Sequence, residues 1–289
     1  MQENKEIQAL LKLIDDPDEV VYETVSNKLI SLGKEVIPNL ENYWETIANT
    51  ELQEKIEILI HQLHFEDLKK EFVKWNADNP DLLAGAMLVS KYIYPAIDTT
   101  YIFKEIEKLR RNIWLEINNY LTPMEQINVV GSIIYNYYKL KGTEISYTNT
   151  DGFLLNKTLE NQQGNTFGNG TLFLILCGLL DVPVQAVNIP NQFLLGYFDQ
   201  HYSILNPVGH ASEKIKFFID PINGQMHSHK DVENYFKRIG LPPNAAFFKP
   251  FDNKDIILLL LSELVKCHDR DTQQYKINEL RSIIELLII

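Results

Sequence analysis

The stretch from Gly164 to Asp220 limits most narrowly what this chain can fold into, because it writes a helix first and strands after it. Gly164, Gly168 and Gly170 read as a glycine-rich loop, and the apolar run Thr171 to Leu180 behind them reads as a buried helix. Val184 to Ile189, Phe193 to Phe198 and Lys216 to Ile219 carry the β-branched and aromatic content of strands. That order predicts an α+β core built on a small antiparallel sheet.

Helices flank this core on both sides. Ile7, Leu10, Leu11 and Ile14 recur at helical spacing, and Asp16-Pro17-Asp18-Glu19 reads as an N-cap at Asp16, a proline at the first helical position and a Glu closing a capping box. Val21, Val25, Leu29 and Leu32 form the face of the helix that follows, which ends at Gly33. Val36, Ile37, Leu40 and Trp44 mark a third helix, and Thr50 with Gln53 opens a fourth bearing Ile56, Leu59, Ile60 and Leu63. Asn79-Pro80-Asp81 repeats the turn chemistry without a fixed period, so a HEAT-like array and an irregular bundle both fit. Longer helices are predicted over Thr100 to Asn119 and after the capping sequence Thr122-Pro123-Met124-Glu125; Ser228 with Asp231 caps another. Two more close the chain, from about Asp255 to His268 and Thr272 to Leu287. The resulting division is a helical, HEAT-like region over 1–121, a core over 122–250 and a C-terminal helical pair over 251–289.

Composition excludes several classes of function. With 289 residues, 45% of them hydrophobic, the chain can bury a sizeable core. The longest apolar block, Ile256 to Leu261, is far short of the roughly 20 residues a membrane helix needs. Met1 to Lys5 is polar and gives no secretion signal, so a cytoplasmic protein is expected. A net charge of −12 argues against nucleic acid or an anionic membrane as partner. Lys108, Arg110 and Arg111 lie beside Glu105 and Glu107, which reads as a solvated helix face. Cys177 and Cys267 give neither a disulfide framework nor a paired metal spacing.

Several separated motifs then agree in order. Phe153-Leu154-Leu155-Asn156, Leu159-Glu160, Gly164-Asn165, Val182-Pro183-Val184, Val187-Asn188-Ile189-Pro190, Gln192-Phe193-Leu194 and Ile219-Asp220-Pro221 resemble the SirB-type transglutaminase-like family over about Thr122 to Pro250. Members commonly read Gly-Asn-Pro-Ile-Ser-Leu-Ser at the helix start and place a His shortly after a later proline. The resemblance implies a transglutaminase or cysteine-protease-like core in which a nucleophile at the helix start, a His on one strand and an Asp on the next would form the site.

This chain departs from that pattern where chemistry would occur. Thr166, Phe167, Gly168, Asn169 and Gly170 occupy the Pro-Ile-Ser-Leu-Ser stretch, so the nucleophile position falls on Gly168 or Thr166 and holds no thiol. A Thr there reads more readily as a cap than as a nucleophile. Gln192 stands at the His position, and an amide cannot take up and return a proton near neutral pH. Asp220 remains, as an orienting carboxylate without a base or as a turn former before Pro221. Cys177 lies too far along its helix to be activated by the helix start and reads as core.

Asn188, Gln192 and Asp220 are therefore read as binding positions of a vestigial cleft. The expected function is a non-catalytic binding or scaffold module with another protein or peptide as partner and no cofactor. A hydrolase or acyl-transferase with a diverged site is the alternative. His201, His210, His227 and His229 define a third reading, a metal site; without a third ligand at a characteristic spacing, and with Ser228 better used as a cap, no metal is expected. Tyr135, Tyr137, Tyr138, Tyr147 and Phe153 read as packing between helices and sheet, or as the lining of a peptide groove.

Overall fold

Side-chain caps fix where the helices begin. In the computed structural model, residues 2–16, 18–199 and 211–288 are described, and the chain divides into two compact units, Met1–Lys74 and Trp75–Ile289. The first unit holds α1 (Gln2–Leu13), α2 (Glu19–Leu32), α3 (Ile37–Thr46) and most of α4 (Thr50–Ala77). Asp18, rather than Asp16, caps α2 by accepting the Val20 N–H at 3.0 Å, while Asp16 accepts the Asp18 N–H at 2.9 Å in the turn before it. Asn49, rather than Thr50, caps α4 through the Glu51 N–H at 3.0 Å; Gln53 turns back to the Ile47 carbonyl, also at 3.0 Å. Gly33 ends α2 at φ 82°, a conformation that favours glycine. The buried stripe Leu11, Ile14, Val25, Leu29, Leu40, Ile56 and Leu59 joins the four helices in one core.

The second unit begins with α5 (Leu82–Ile93) and α6 (Thr99–Glu116), capped by Asp81 and Asp98. A capping box between Thr122 and Glu125 starts α7 (Pro123–Gly131), which runs on as a π-helical turn, Ser132–Tyr137. Next come β1 (Lys141–Gly142), a 3-10 turn at Asp151–Phe153, α8 (Leu155–Asn161) and β2 (Gln163–Gly164), which pairs parallel with β1. Then α9 (Thr166–Gly178) passes through the middle of the unit. Every residue from Phe167 to Cys177 is buried, as a helix apolar on all sides requires.

Four antiparallel strands follow in spatial order: β3 (Val184–Ile189), β4 (Gln192–Phe198), β5 (Ile215–Asp220) and β6 (Gln225–His227), with the short α10 (Ala211–Lys214) ahead of β5. The turn between β3 and β4 is Pro190-Asn191, with Asn191 at φ 59°, the residue pair of a type II turn. One face of the sheet, including Val187, Ile189, Leu194, Phe198 and Phe218, is sealed by Val232 and Phe236 of α11 (His229–Ile239). The other packs on α9. The chain closes with α12 (Asn253–Lys266), which packs on α5, and α13 (Gln274–Ile288), which packs on α12. The unit is an α+β structure, and among the described residues no helix is long and apolar enough to cross a membrane.

The expected strands lie within a residue or two of those observed. β6 was not anticipated. Gly168 and Gly170, read as loop, are inside α9.

Candidate functional site

Asn165 sets the start of α9. Its Oδ1 accepts the N–H groups of Phe167 at 2.9 Å and Gly168 at 3.2 Å, so the cap is Asn165 and not Thr166. The glycines inside the first turns are dictated by packing. A β-carbon on Gly168 would stand 2.4 Å from the Gly152 carbonyl oxygen and 2.7 Å from Thr158 Oγ1, and one on Gly170 would stand 2.5 Å from the Phe193 ring. Helix propensity, about 1 kcal/mol per glycine, is overridden by that close approach.

A cleft of about 740 Å³ opens at this helix start. Thr166 and Phe167 line it from α9, Asn188, Gln192 and Phe193 from the β3–β4 hairpin, and Asp220 from the end of β5. Thus Thr166, Asn188, Gln192 and Asp220 share one cavity. Gly168 does not line it; its α-carbon faces Gly152 and Thr158 instead, so of the two expected nucleophile positions only Thr166 faces the cleft.

The polar groups of these residues are occupied structurally. Thr166 donates its hydroxyl to the Phe193 carbonyl at 3.2 Å, which fixes the helix start against β4. Asp220 accepts the Ile222 N–H on Oδ1 at 2.9 Å, and its carbonyl accepts Gly224 N–H at 2.8 Å, the bonding of a turn former. Tyr135 closes that turn by donating to the Pro221 carbonyl at 2.7 Å, and burial next to Asp220 pushes its hydroxyl pKa well up. Gln192 and Asn188 are exposed at the hairpin end and point no imidazole or thiol at the cavity.

The wall opposite the hairpin comes from the segment Gly142 to Tyr147 and from α12. Glu263 is only 5% exposed, and both of its oxygens are engaged: Tyr147 donates to Oε2 at 2.7 Å and Lys266 to Oε1 at 2.6 Å. Tyr147 continues into a file of rings, with Phe153 at 6.0 Å, Phe167 a further 5.7 Å on and Phe193 5.1 Å beyond it. The aromatic cluster thus divides: Tyr147 lines the groove, Phe153 and Tyr138 are buried packing, and Tyr137 is 63% exposed. Glu263 and Lys266 carry no local sequence signal, since they reach the site through a contact spanning 116 residues.

Cys177 is fully buried and burial pushes its thiol pKa well up, opposite to what a nucleophile needs. His227 ends β6, Ser228 caps α11 and His229 enters that helix with Nε2 2.7 Å from the Ile215 carbonyl, so the two imidazoles are split between elements. Among the described residues no cluster of His, Cys, Asp or Glu could hold a metal ion. His201 and His210 lie outside the described residues.

Residues 100–262, more than half of the chain, match the transglutaminase-like superfamily, and the cleft lies within that span apart from Glu263 and Lys266. The chain belongs to this superfamily. Over 191 residues it is 25% identical to protein SirB1 of Salmonella typhimurium, covering 65% of this chain and 66% of SirB1. It is 25% identical over 176 residues to UPF0162 protein YchA of Escherichia coli K12, covering 61% of each. A UPF0162 protein of Vibrio cholerae is 22% identical over 211 residues, covering 70% and 73%. The match spans just under two thirds of SirB1 and YchA. No solved structure matches the chain. The matched span holds the helix start, the hairpin and the β5 end that surround the cleft.

Proposed function

We propose that this protein is a non-catalytic transglutaminase-like binding module that holds a peptide segment of a partner protein in the 740 Å³ cleft. One observation carries the reading: Thr166, Gln192 and Asp220 meet in that cleft, and among the described residues that line it there is neither a Cys nor a His. A threonine hydroxyl bonded to a carbonyl, an amide and a carboxylate bonded as a turn former supply neither a thiol nor an imidazole and suit binding. Exposed amides at Asn188, Asn191 and Gln192 beside the rings of Phe167, Phe193 and Phe251 suit a backbone flanked by apolar side chains.

The test uses purified full-length protein, a panel of fluorescent peptides and a set of amide and ester model substrates. Peptide binding is expected to weaken by about tenfold or more in Gln192→Ala combined with Asn188→Ala, as lost hydrogen bonds of 0.5–1.5 kcal/mol each require. No turnover is expected. Hydrolysis or acyl transfer that disappears in Thr166→Ala or Asp220→Asn would overturn the reading in favour of a diverged enzyme.

A further inference from the structure

Next to the cleft lies a smaller pocket of about 330 Å³ that shares Thr143 and Glu144 with it. Among the described residues that line this pocket all but Gly152 are polar, and none is basic, aromatic or aliphatic. Its inner end is Asn165, which is 1% exposed. Because Oδ1 of Asn165 is committed to the Phe167 and Gly168 N–H groups, the orientation of the amide is fixed. Its Nδ2 is turned the other way, towards Gly152, where a β-carbon would stand 3.2 Å from it. Among the described residues Nδ2 has no acceptor, so it is left to donate to whatever enters the pocket. Gly152 keeps that donor reachable from the pocket.

At the mouth stand two carboxylates. Asp151 is oriented by Tyr94, which donates to its Oδ1 at 2.8 Å, and by Asn149, whose Oδ1 accepts the Asp151 N–H at 3.2 Å. Glu144 is exposed and has no ion-pair partner among the described residues. A ligand here must offer an acceptor to Asn165 and donors to Glu144 and Asp151. An anion meets two carboxylates and no basic residue among the described lining, since Lys157, close enough to feel Asp151, is paired with Glu160 at 2.7 Å; an apolar group meets only polar walls, and a bare cation offers Asn165 nothing. A hydroxyl is donor and acceptor at once, and adjacent hydroxyls on one ring repeat that pattern.

We propose that this pocket binds a polyhydroxylated ligand of the size of one sugar ring, its hydroxyls donating to Glu144 and Asp151 and accepting from Asn165 Nδ2. The pocket's volume is at the lower end of the roughly 300–1,000 Å³ range of small-molecule sites. The proposal is independent of what the neighbouring cleft holds.

The full chain is titrated separately with glucose, galactose, N-acetylglucosamine and myo-inositol, read by saturation-transfer difference NMR, and with calcium chloride, read by protein chemical shifts. At least one polyol is expected to receive saturation, and binding is expected to fall about tenfold or more in Asn165→Asp, which removes the donor and retains the helix cap. Glu144→Gln combined with Asp151→Asn leaves the cap untouched and is expected to give the same loss, which covers the case in which Asn165→Asp does not fold. No transfer to any of the four polyols, unchanged binding in the variants, or a response to calcium chloride alone would each overturn the assignment.

Discussion

The hydroxyl of Tyr147 donates to Oε2 of Glu263 at 2.7 Å, tying the segment after β1 to the last turns of α12 along one wall of the cleft. Burial first, then the hydrogen bond and charge of Glu263, pushes the Tyr147 pKa up to about 12. An ordinary tyrosine ionises near 10, so the folded state favours the neutral phenol. The stabilisation this provides is complete below about pH 10 and is lost as pH rises through about 12. Tyrosinate absorbance followed against pH is expected to show one late-titrating tyrosine fewer in Tyr147→Phe. In Glu263→Gln the midpoint of that tyrosine is expected to move down towards 10, because the carboxylate that opposes ionisation is gone. An unchanged alkaline limb in both variants would remove the latch.

Thr166 and Gly168 differ in what a new thiol would meet. Thr166 lines the cleft in the first turn of α9, where the positive end of the helix favours a thiolate, so Thr166→Cys is expected to fold normally and to react with a thiol probe far faster than Cys177. Gly168→Cys drives a β-carbon to within 2.4 Å of the backbone oxygen of Gly152 and is expected to cost about 1–3 kcal/mol of stability as overpacking. Denaturation midpoints and labelling rates of the two variants check both halves.

Cys177 has no exposed surface, and burial raises its pKa. Native protein is expected to leave it unlabelled and denatured protein to label it at once; Cys267, only partly buried, has its pKa pushed up to about 11 by burial and the nearby Glu263 and should react slowly. Cys177→Ser places a hydroxyl at a position with no exposed surface and is expected to destabilise by about 1–3 kcal/mol. Counting labelled thiols by mass spectrometry with and without denaturant settles the order of reactivity.

Local chemistry was legible in the sequence and long-range packing was not. The capping boxes at Thr122 and Ser228 and the strand Val184–Ile189 lie where side-chain identity and period placed them. The start of α9 was misplaced because glycine is a poor helix former, and nothing local announces that Gly168 must admit Gly152 or that Gly170 must admit Phe193. β6 has only three residues and a polar, half-exposed face, too short for a period to show. In the cleft, Thr166, Gln192 and Asp220 were found through the resemblance, whereas Glu263 and Lys266 arrive from α12 by tertiary contact alone.

Asn165 both starts α9 and faces the polar pocket. Its Oδ1 satisfies two buried N–H groups, those of Phe167 and Gly168, that no water could reach easily at a site 1% exposed. Asn165→Ala removes the cap and leaves both donors unpaired, with an expected cost of about 1–2 kcal/mol or somewhat more. Asn165→Asp puts a carboxylate at the positive end of the helix and is expected to leave stability within about 1 kcal/mol of the wild type. Urea unfolding of the two variants tests the cap, since Asn165→Asp keeps an acceptor oxygen for the two N–H groups and Asn165→Ala does not. If Asn165→Ala unfolds at the same urea concentration as Asn165→Asp, the start of α9 is held by the Thr166–Phe193 bond and the glycine contacts rather than by this cap.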